Sequence, residues 1–165
     1  MGKQIGNKIM KCYLNGICSS NIFHNKIRKV LYKIAGLNIG QASIHSECFI
    51  GGNNLTIGDG TFVNHRCFFD TSAPICIKEK CNIAYEVTFC TSSHRIGNSE
   101  KRAGENIAKS ITVNKGCWIG ARVTILPGVT VGEGCIIAAG SVVSEDCEPN
   151  SLYAGVPAKK VKDLV

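Results

Sequence analysis

No stretch of about 18 apolar residues occurs in this chain of 165 residues, and its first twenty hold no apolar block of signal-peptide length. Membrane spanning and secretion are therefore not expected, and a cytoplasmic location is. Charged residues are scarce, 19% against 44% hydrophobic, which argues against disorder. Met1-Gly2 opens as a myristoylation signal does, but that motif needs Ser or Thr at position six, where Gly6 stands. Acidic residues are missing from the first 46 positions, which carry Lys3, Lys8, Lys11, Lys26, Arg28, Lys29 and Lys33. The rest of the chain is balanced, so the whole net charge of +7 sits at the N-terminus. Such a segment suits an anionic partner, or it is simply a solvated helix face. Ten cysteines are present without any C-x-x-C or a Cys pair followed by a His pair, so no metal site is expected. The length fits one domain, and 18 glycines spread along it argue against a helical bundle.

What is abundant is periodicity. An aliphatic or aromatic residue returns every six positions at Ile57, Val63 and Phe69, again after a two-residue slip at Ile77, Ile83 and Phe89, and without a slip from Val113 to Val143. The fourth position after each holds a small or modest side chain: Thr61, Cys67, Ala73, Cys81, Val87, Ser93, Cys117, Val123, Val129, Cys135, Ser141 and Cys147. Two inward slots per six residues is the hexapeptide pattern of a parallel β-helix. Three hexapeptides make a coil of 18 residues, which gives five coils at 39–56, 57–76, 77–94, 113–130 and 131–148. The polar stretch 95–112 is expected as an extruded loop. Coils stack about 4.8 Å apart, so Cys81, Cys117 and Cys135 share a column, and Cys48 and Cys67 share another. Their reading is packing, since a buried thiol behaves as a small hydrophobe.

Before the coils, Ile22, Phe23, Ile27, Val30, Leu31 and Ile34 recur at helical spacing, with Ser19-Ser20-Asn21 as cap candidates and Gly36 as a stop. The expectation is one helix whose apolar stripe caps the open end of the first coil and whose Lys26, Lys29 and Lys33 face water. The domain reading is thus a helical cap over 1–38, a β-helix over 39–148 and a C-terminal tail over 149–165.

Taken together, GCWIGA at 116–121, Thr-Ser-Ser-His at 91–94 before the loop, and AGVPAK at 154–159 resemble the hexapeptide-repeat acyltransferases, in the branch of maltose, galactoside and capsular-sugar O-acetyltransferases. The likeness spans about residues 39 to 163. It implies a left-handed parallel β-helix, a homotrimer with active sites between subunits, acetyl-CoA as acyl donor, no metal, no nucleic acid, and a sugar or glycan hydroxyl as acceptor in bacterial surface-polysaccharide synthesis. It also implies His94 as the general base, a role that suits an imidazole because the group is mostly neutral at pH 7. The amide of Ala121 is implied as the oxyanion donor. Trp118, Ala121, Ala139, Ser144, Lys159 and Lys160 match cofactor-binding positions, the last two toward the phosphates. Asn64, Asp70 and Ser72 fall on the acceptor side, although galactoside-type relatives carry acidic residues where Thr71 and Ser72 stand. Arg95 replaces a Pro found in many relatives.

Two other activities use this architecture. An antibiotic-inactivating acetyltransferase of the xenobiotic type would share the base and differ in its acceptor. A zinc hydratase of the γ-carbonic anhydrase kind needs three His around a metal, and no second His lies near His94 in the sequence. If the acceptor is a lipid-linked glycan, the basic N-terminus would hold the protein at the anionic inner face of the membrane.

Overall fold

The computed structural model describes residues 2–164. The six-residue repeat becomes three parallel sheets wound around a single core, a β-solenoid whose second sheet stacks six strands, one per turn. The first sheet contains Asn38–Ile39, Leu55–Ile57, Ile75–Ile77, Ile111–Val113 and Thr130–Val131; the second begins at Ser43–Ile44 and the third at Phe49–Ile50. Up to Val143 each strand of these sheets is two or three residues long and ends on a buried side chain, as in Phe62–Val63 and Thr124–Ile125. Alternation of side chains along a strand therefore repeats every six residues, because a corner follows each strand. Ile39 pairs with Ile57, Ile57 with Ile77, Ile77 with Val113 and Val113 with Val131. That register places the slip at the corner of Thr71-Ser72 and leaves one insertion between the third and fourth coils.

The insertion is an antiparallel hairpin, Ser92–Ile96 against Ala103–Ala108. Ser93, expected in an inward slot, is exposed. Thr91 is the last buried residue before the chain leaves the prism, and the pairing of Ser92 with Ala108 carries everything after it outward. At the far end Ser151–Gly155 adds to the second sheet as an incomplete sixth turn, and Ala158–Asp163 folds back antiparallel against it.

The small inward slots explain the cysteines. Cys48, Cys67, Cys81, Cys117, Cys135 and Cys147 are buried. Cys81 Sγ lies 3.1 Å from Asn114 O, Cys117 Sγ 3.0 Å from Gly132 O and Cys67 Sγ 3.2 Å from Ala84 O, each thiol donating to a carbonyl of the next coil. Cys fills the slot where Leu would overpack and satisfies a corner carbonyl where Ala could not. One corner column takes the left-handed conformation at Glu47, Arg66, Glu86 and Arg122. Their charges alternate, with Arg66 2.9 Å and Arg122 2.7 Å from the Glu86 carboxylate.

The N-terminal cap departs most from the sequence expectation. It holds two helices, α1 (Gly2–Cys12) and α2 (Asn25–Ile34), joined by a π-helical turn over Tyr13–Cys18. The α2 cap is His24, whose ring nitrogen accepts from the Lys26 amide, and Gly36 stops the helix at φ +87° while the Leu37 amide donates to Tyr32 O. Most of the apolar stripe is not in the core: Ile22, Ile27, Val30 and Ile34 are 52–84% exposed, Phe23 is half-buried, Leu31 packs partly against the core, and the buried face of α2 is Arg28 and Tyr32. The reason is hydrogen bonding. The first coil and the turn before α2 leave carbonyls at Cys18, Ser20, Phe23 and Ile44 facing α2, and only a guanidinium can serve them all.

Candidate functional site

His94 sits on the first strand of the hairpin opposite Asn106, next to an irregularity in strand register before Ile96. Its Nδ1 lies 3.0 Å from the carbonyl oxygen of Gly104. A carbonyl only accepts, so Nδ1 carries the proton and Nε2 of the neutral ring is left with its lone pair. The side chain is exposed and lines a pocket of about 410 Å³ with Ser72, Ser92 and Asn106. A base held in one tautomer, with its ring lining a pocket and its acceptor nitrogen without a hydrogen-bond partner among the described residues, can take a proton from a hydroxyl.

The hairpin is anchored to the prism by Asp70. One carboxylate oxygen accepts from the Ser72 amide at 3.2 Å and the Ser72 hydroxyl at 2.7 Å. The other accepts from the amides of Thr91 at 3.1 Å and Ser92 at 2.7 Å, and from the Ser92 hydroxyl at 2.5 Å. Burial disfavours the ionised form, but the hydrogen bonds from Ser72 and Ser92 outweigh it and hold the Asp70 carboxyl well below the usual carboxylate range. The two-residue slip thus has a chemical consequence. It supplies Thr71-Ser72 as a bulge that the carboxylate ties to the root of the hairpin, two residues before His94.

The remaining candidates do not all gather at this corner, which lies between the third and first sheets. Asn64, Trp118, Ala121 and Ala139 belong to the next corner, between the second and third sheets. There Asn64 and Trp118 line a separate pocket of about 410 Å³ with Phe62 and Asn82. Trp118 is 56% exposed, outward on its strand between Asn82 and Ile136. Gly120 is obligatory: a Cβ there would meet the Ala139 amide nitrogen at 2.5 Å. It lets the chain turn so that Gly120 and Arg122 donate to Ile137 O and Tyr85 O, whereas among the described residues the Ala121 amide has no partner. Ser144 follows the third sheet and so shares the corner of His94. One chain therefore carries the candidate residues on two different edges of the prism.

Lys159 and Lys160 are occupied. Lys159 Nζ is 3.1 Å from Glu145, and Lys160 Nζ is 2.6 Å from Glu148 and 2.7 Å from Asp163. The hydrogen bond to Asp163, then that to Glu148, pushes the Lys160 pKa up. A phosphate would have to compete with three carboxylates for this pair. His45 and His65 bond to each other, ring nitrogens 2.9 Å apart, at the corner of Asn64 rather than that of His94. Among the described residues no group of three or more His, Cys, Asp or Glu is placed to hold a metal ion.

Sequence reasoning did not single out Phe49 and Phe68. They stack in an exposed column beside Asp70, with centroids 4.6 Å apart and planes 8° from parallel. The signal was available, since each immediately precedes an inward residue, Ile50 or Phe69, in successive coils.

A β-solenoid of hexapeptide coils with a histidine at the root of an extruded hairpin defines a class of transferase, and comparison with known proteins agrees. Residues 110–145 match the bacterial transferase hexapeptide (six repeats) family. The presumed acetyltransferase SH0499 of Staphylococcus haemolyticus is 38% identical over 136 residues, 82% of this chain and 71% of that protein. The galactoside O-acetyltransferase of Escherichia coli K12 is 33% identical over 116 residues, 70% of this chain. The matched part spans only 57% of that enzyme, and 55% and 58% of two yeast relatives. Among solved structures, the hexapeptide-repeat acetyltransferase VCA0836 of Vibrio cholerae, complexed with acetyl coenzyme A, superimposes with a TM-score of 0.87 at 28% identity, covering 99% of this chain and 90% of the other. The chain belongs to the hexapeptide-repeat acetyltransferase family.

Proposed function

We propose that this protein transfers the acetyl group of acetyl-CoA to a hydroxyl of a sugar, in the synthesis of a bacterial surface polysaccharide. The observation that carries the reading is the fixed tautomer of His94, whose Nδ1 donates to Gly104 O and whose Nε2 is left to accept. The acceptor hydroxyl gives its proton to Nε2 as its oxygen attacks the thioester carbonyl. The carbon–sulfur bond then breaks, and the CoA thiolate takes the proton back from the imidazolium. Negative charge develops on the carbonyl oxygen during the attack, and the unpartnered Ala121 amide is the donor suited to it. Support for the donor comes from the Vibrio relative bound to acetyl coenzyme A, and support for the acceptor from the Escherichia galactoside enzyme. His94 and Ala121 lie on different edges of one prism, which supports an assembly in which one subunit supplies the base and its neighbour the donor groove, and the homotrimer is the assembly that the family resemblance implies.

Release of free thiol from acetyl-CoA, measured across a panel of sugars and acetyl-accepting antibiotics, tests the acceptor class. Turnover of sugars alone is expected. Turnover of an antibiotic with no sugar accepted would replace the reading with the xenobiotic one.

The basic N-terminus fits an acceptor carried at an anionic membrane. Lys26 and Lys33 flank the exposed Ile27, Val30 and Ile34, the arrangement of a helix that lies in a lipid interface. Lys8 and Lys11 of α1 are exposed too, the Lys3 side chain lies outside those described, and Arg28 is buried and contributes nothing outside. Among the described residues no helix is long and apolar enough to cross a membrane. Each lysine near the surface adds about 1 kcal/mol of attraction to anionic lipid, and screening removes it as salt rises. In vesicle sedimentation, the protein should pellet with anionic vesicles at low salt and stay in solution with neutral ones. Equal recovery with both would end the membrane proposal and leave the transferase reading intact.

A further inference from the structure

The pocket in front of His94 is bounded on one side by Ser72. On the far side of that residue opens a second cleft of about 620 Å³, bounded below by the corner at Asn53 and Asn54 and across by Lys11 of α1. Ser72 lines both spaces, so they adjoin across this residue. The second cleft is walled by the stacked pair Phe49 and Phe68, 38% and 41% exposed. Elsewhere in the same outward column stand Thr88, Thr124 and Val142, so the two aromatic rings are confined to the coils beside the cleft. Asp70 borders the cleft too, but both of its oxygens are consumed in holding Ser72, Thr91 and Ser92.

We infer that this cleft is a second acceptor subsite that holds the sugar residue adjoining the one acetylated, so that the acceptor is an oligosaccharide or longer glycan and not a free monosaccharide. The inference rests on the sugar O-acetyltransferase reading. A pyranose ring has an apolar C–H surface and a rim of hydroxyls. The partly positive C–H groups pack against aromatic carbon, and the amides of Asn53 and Asn54 bring both donors and acceptors to the rim. Size permits it, since ligand pockets measure about 300–1,000 Å³ and this cleft of about 620 Å³ has room for a ring of its own beside the pocket at His94. A single sugar at His94 would leave the larger space, with its aromatic wall, without a use.

Two measurements on the full chain test the subsite. Transfer kinetics are compared for glucose-, galactose- and mannose-based trisaccharides and the corresponding methyl glycosides. The same sugars are titrated calorimetrically into the His94→Ala protein, which reports binding without turnover. The best trisaccharide is expected to exceed its methyl glycoside at least about tenfold in kcat/KM and in affinity. Phe49→Ala/Phe68→Ala, shown to be folded by its thermal melt, should bring the trisaccharide down to the level of the methyl glycoside. Equal binding of trisaccharides and methyl glycosides would overturn the subsite whatever the transfer assay shows. So would a double variant that loses the preference only together with its oligomeric state, because the phenylalanines would then be a contact between subunits. Trisaccharide binding that depends on Phe49 and Phe68 but is never followed by transfer would keep the sugar cleft and remove the transferase reading.

Discussion

His94→Ala is expected to lower acetyl transfer by at least about a hundredfold, the lower end of what a positioned general base contributes, and to leave the fold unchanged. The ring is exposed and among the described residues makes one hydrogen bond, with Gly104 O, a carbonyl that water can serve once the imidazole is gone. The hairpin keeps its register through the pairing of Ser92 with Ala108 and its anchor through Asp70. Nothing in the solenoid depends on the side chain, so a loss of rate reports chemistry. The check is the rate of thiol release beside circular dichroism and a thermal melt of the same preparation. Retained activity would remove His94 from the mechanism, and a collapsed melt would mean that the loss of rate says nothing about the base.

Arg28→Met costs at least about 3 kcal/mol of stability, concentrated in the N-terminal cap. The guanidinium is 2% exposed and uses all five of its N–H donors. Nε donates to Cys18 O at 3.1 Å; one terminal nitrogen donates to Asn25 Oδ1 at 2.7 Å and Ile44 O at 3.2 Å; the other donates to Ser20 O at 2.7 Å and Phe23 O at 2.6 Å. One side chain thereby ties the π-helical turn, the entrance to α2 and the first coil together. Methionine keeps the apolar stem and strands four carbonyls, each costing about 1–3 kcal/mol when buried without a donor. Lysine is no substitute, because its three donors radiate from one point and cannot reach four separated oxygens. Urea unfolding measures the total. Because solenoids unfold in local units, hydrogen exchange over residues 2–36 should show the cap opening before the coils. A loss below about 1 kcal/mol, or loss spread evenly along the solenoid, would refute this account of the cap.

The solenoid was legible in the sequence because its period is covalent. Each coil buries residues at fixed offsets from its own strands, so Ile57, Ile83 and Val131 declare themselves without any knowledge of what they touch. The cysteine columns followed from the same counting, and so did the place at which the chain leaves the prism, to within a few residues. The cap was not legible in this way. Ile22, Ile27, Val30 and Ile34 make an apolar stripe that hydrophobicity alone assigns to the core, yet Arg28 takes the inner face. What decided between them was the set of carbonyls that the turn and the first coil present, and no periodicity encodes that set.

For the candidate site, the residue types were readable and their grouping was not. The sequence by itself determined a coil register, an exposed histidine at the root of an excursion and a glycine-bearing turn at Gly120. Only the tertiary structure decided that Asp70 clamps Ser72 to Ser92, that Gly104 fixes the tautomer of His94, and that Asn64 and Trp118 lie on another edge of the prism. The physical reason for the first two is hydrogen bonding: Asp70 reaches Ser92 across 22 positions and His94 reaches Gly104 across 10 within the hairpin, alignments that depend on the slip at Thr71-Ser72 and on the hairpin register, and a six-residue period carries no information about either.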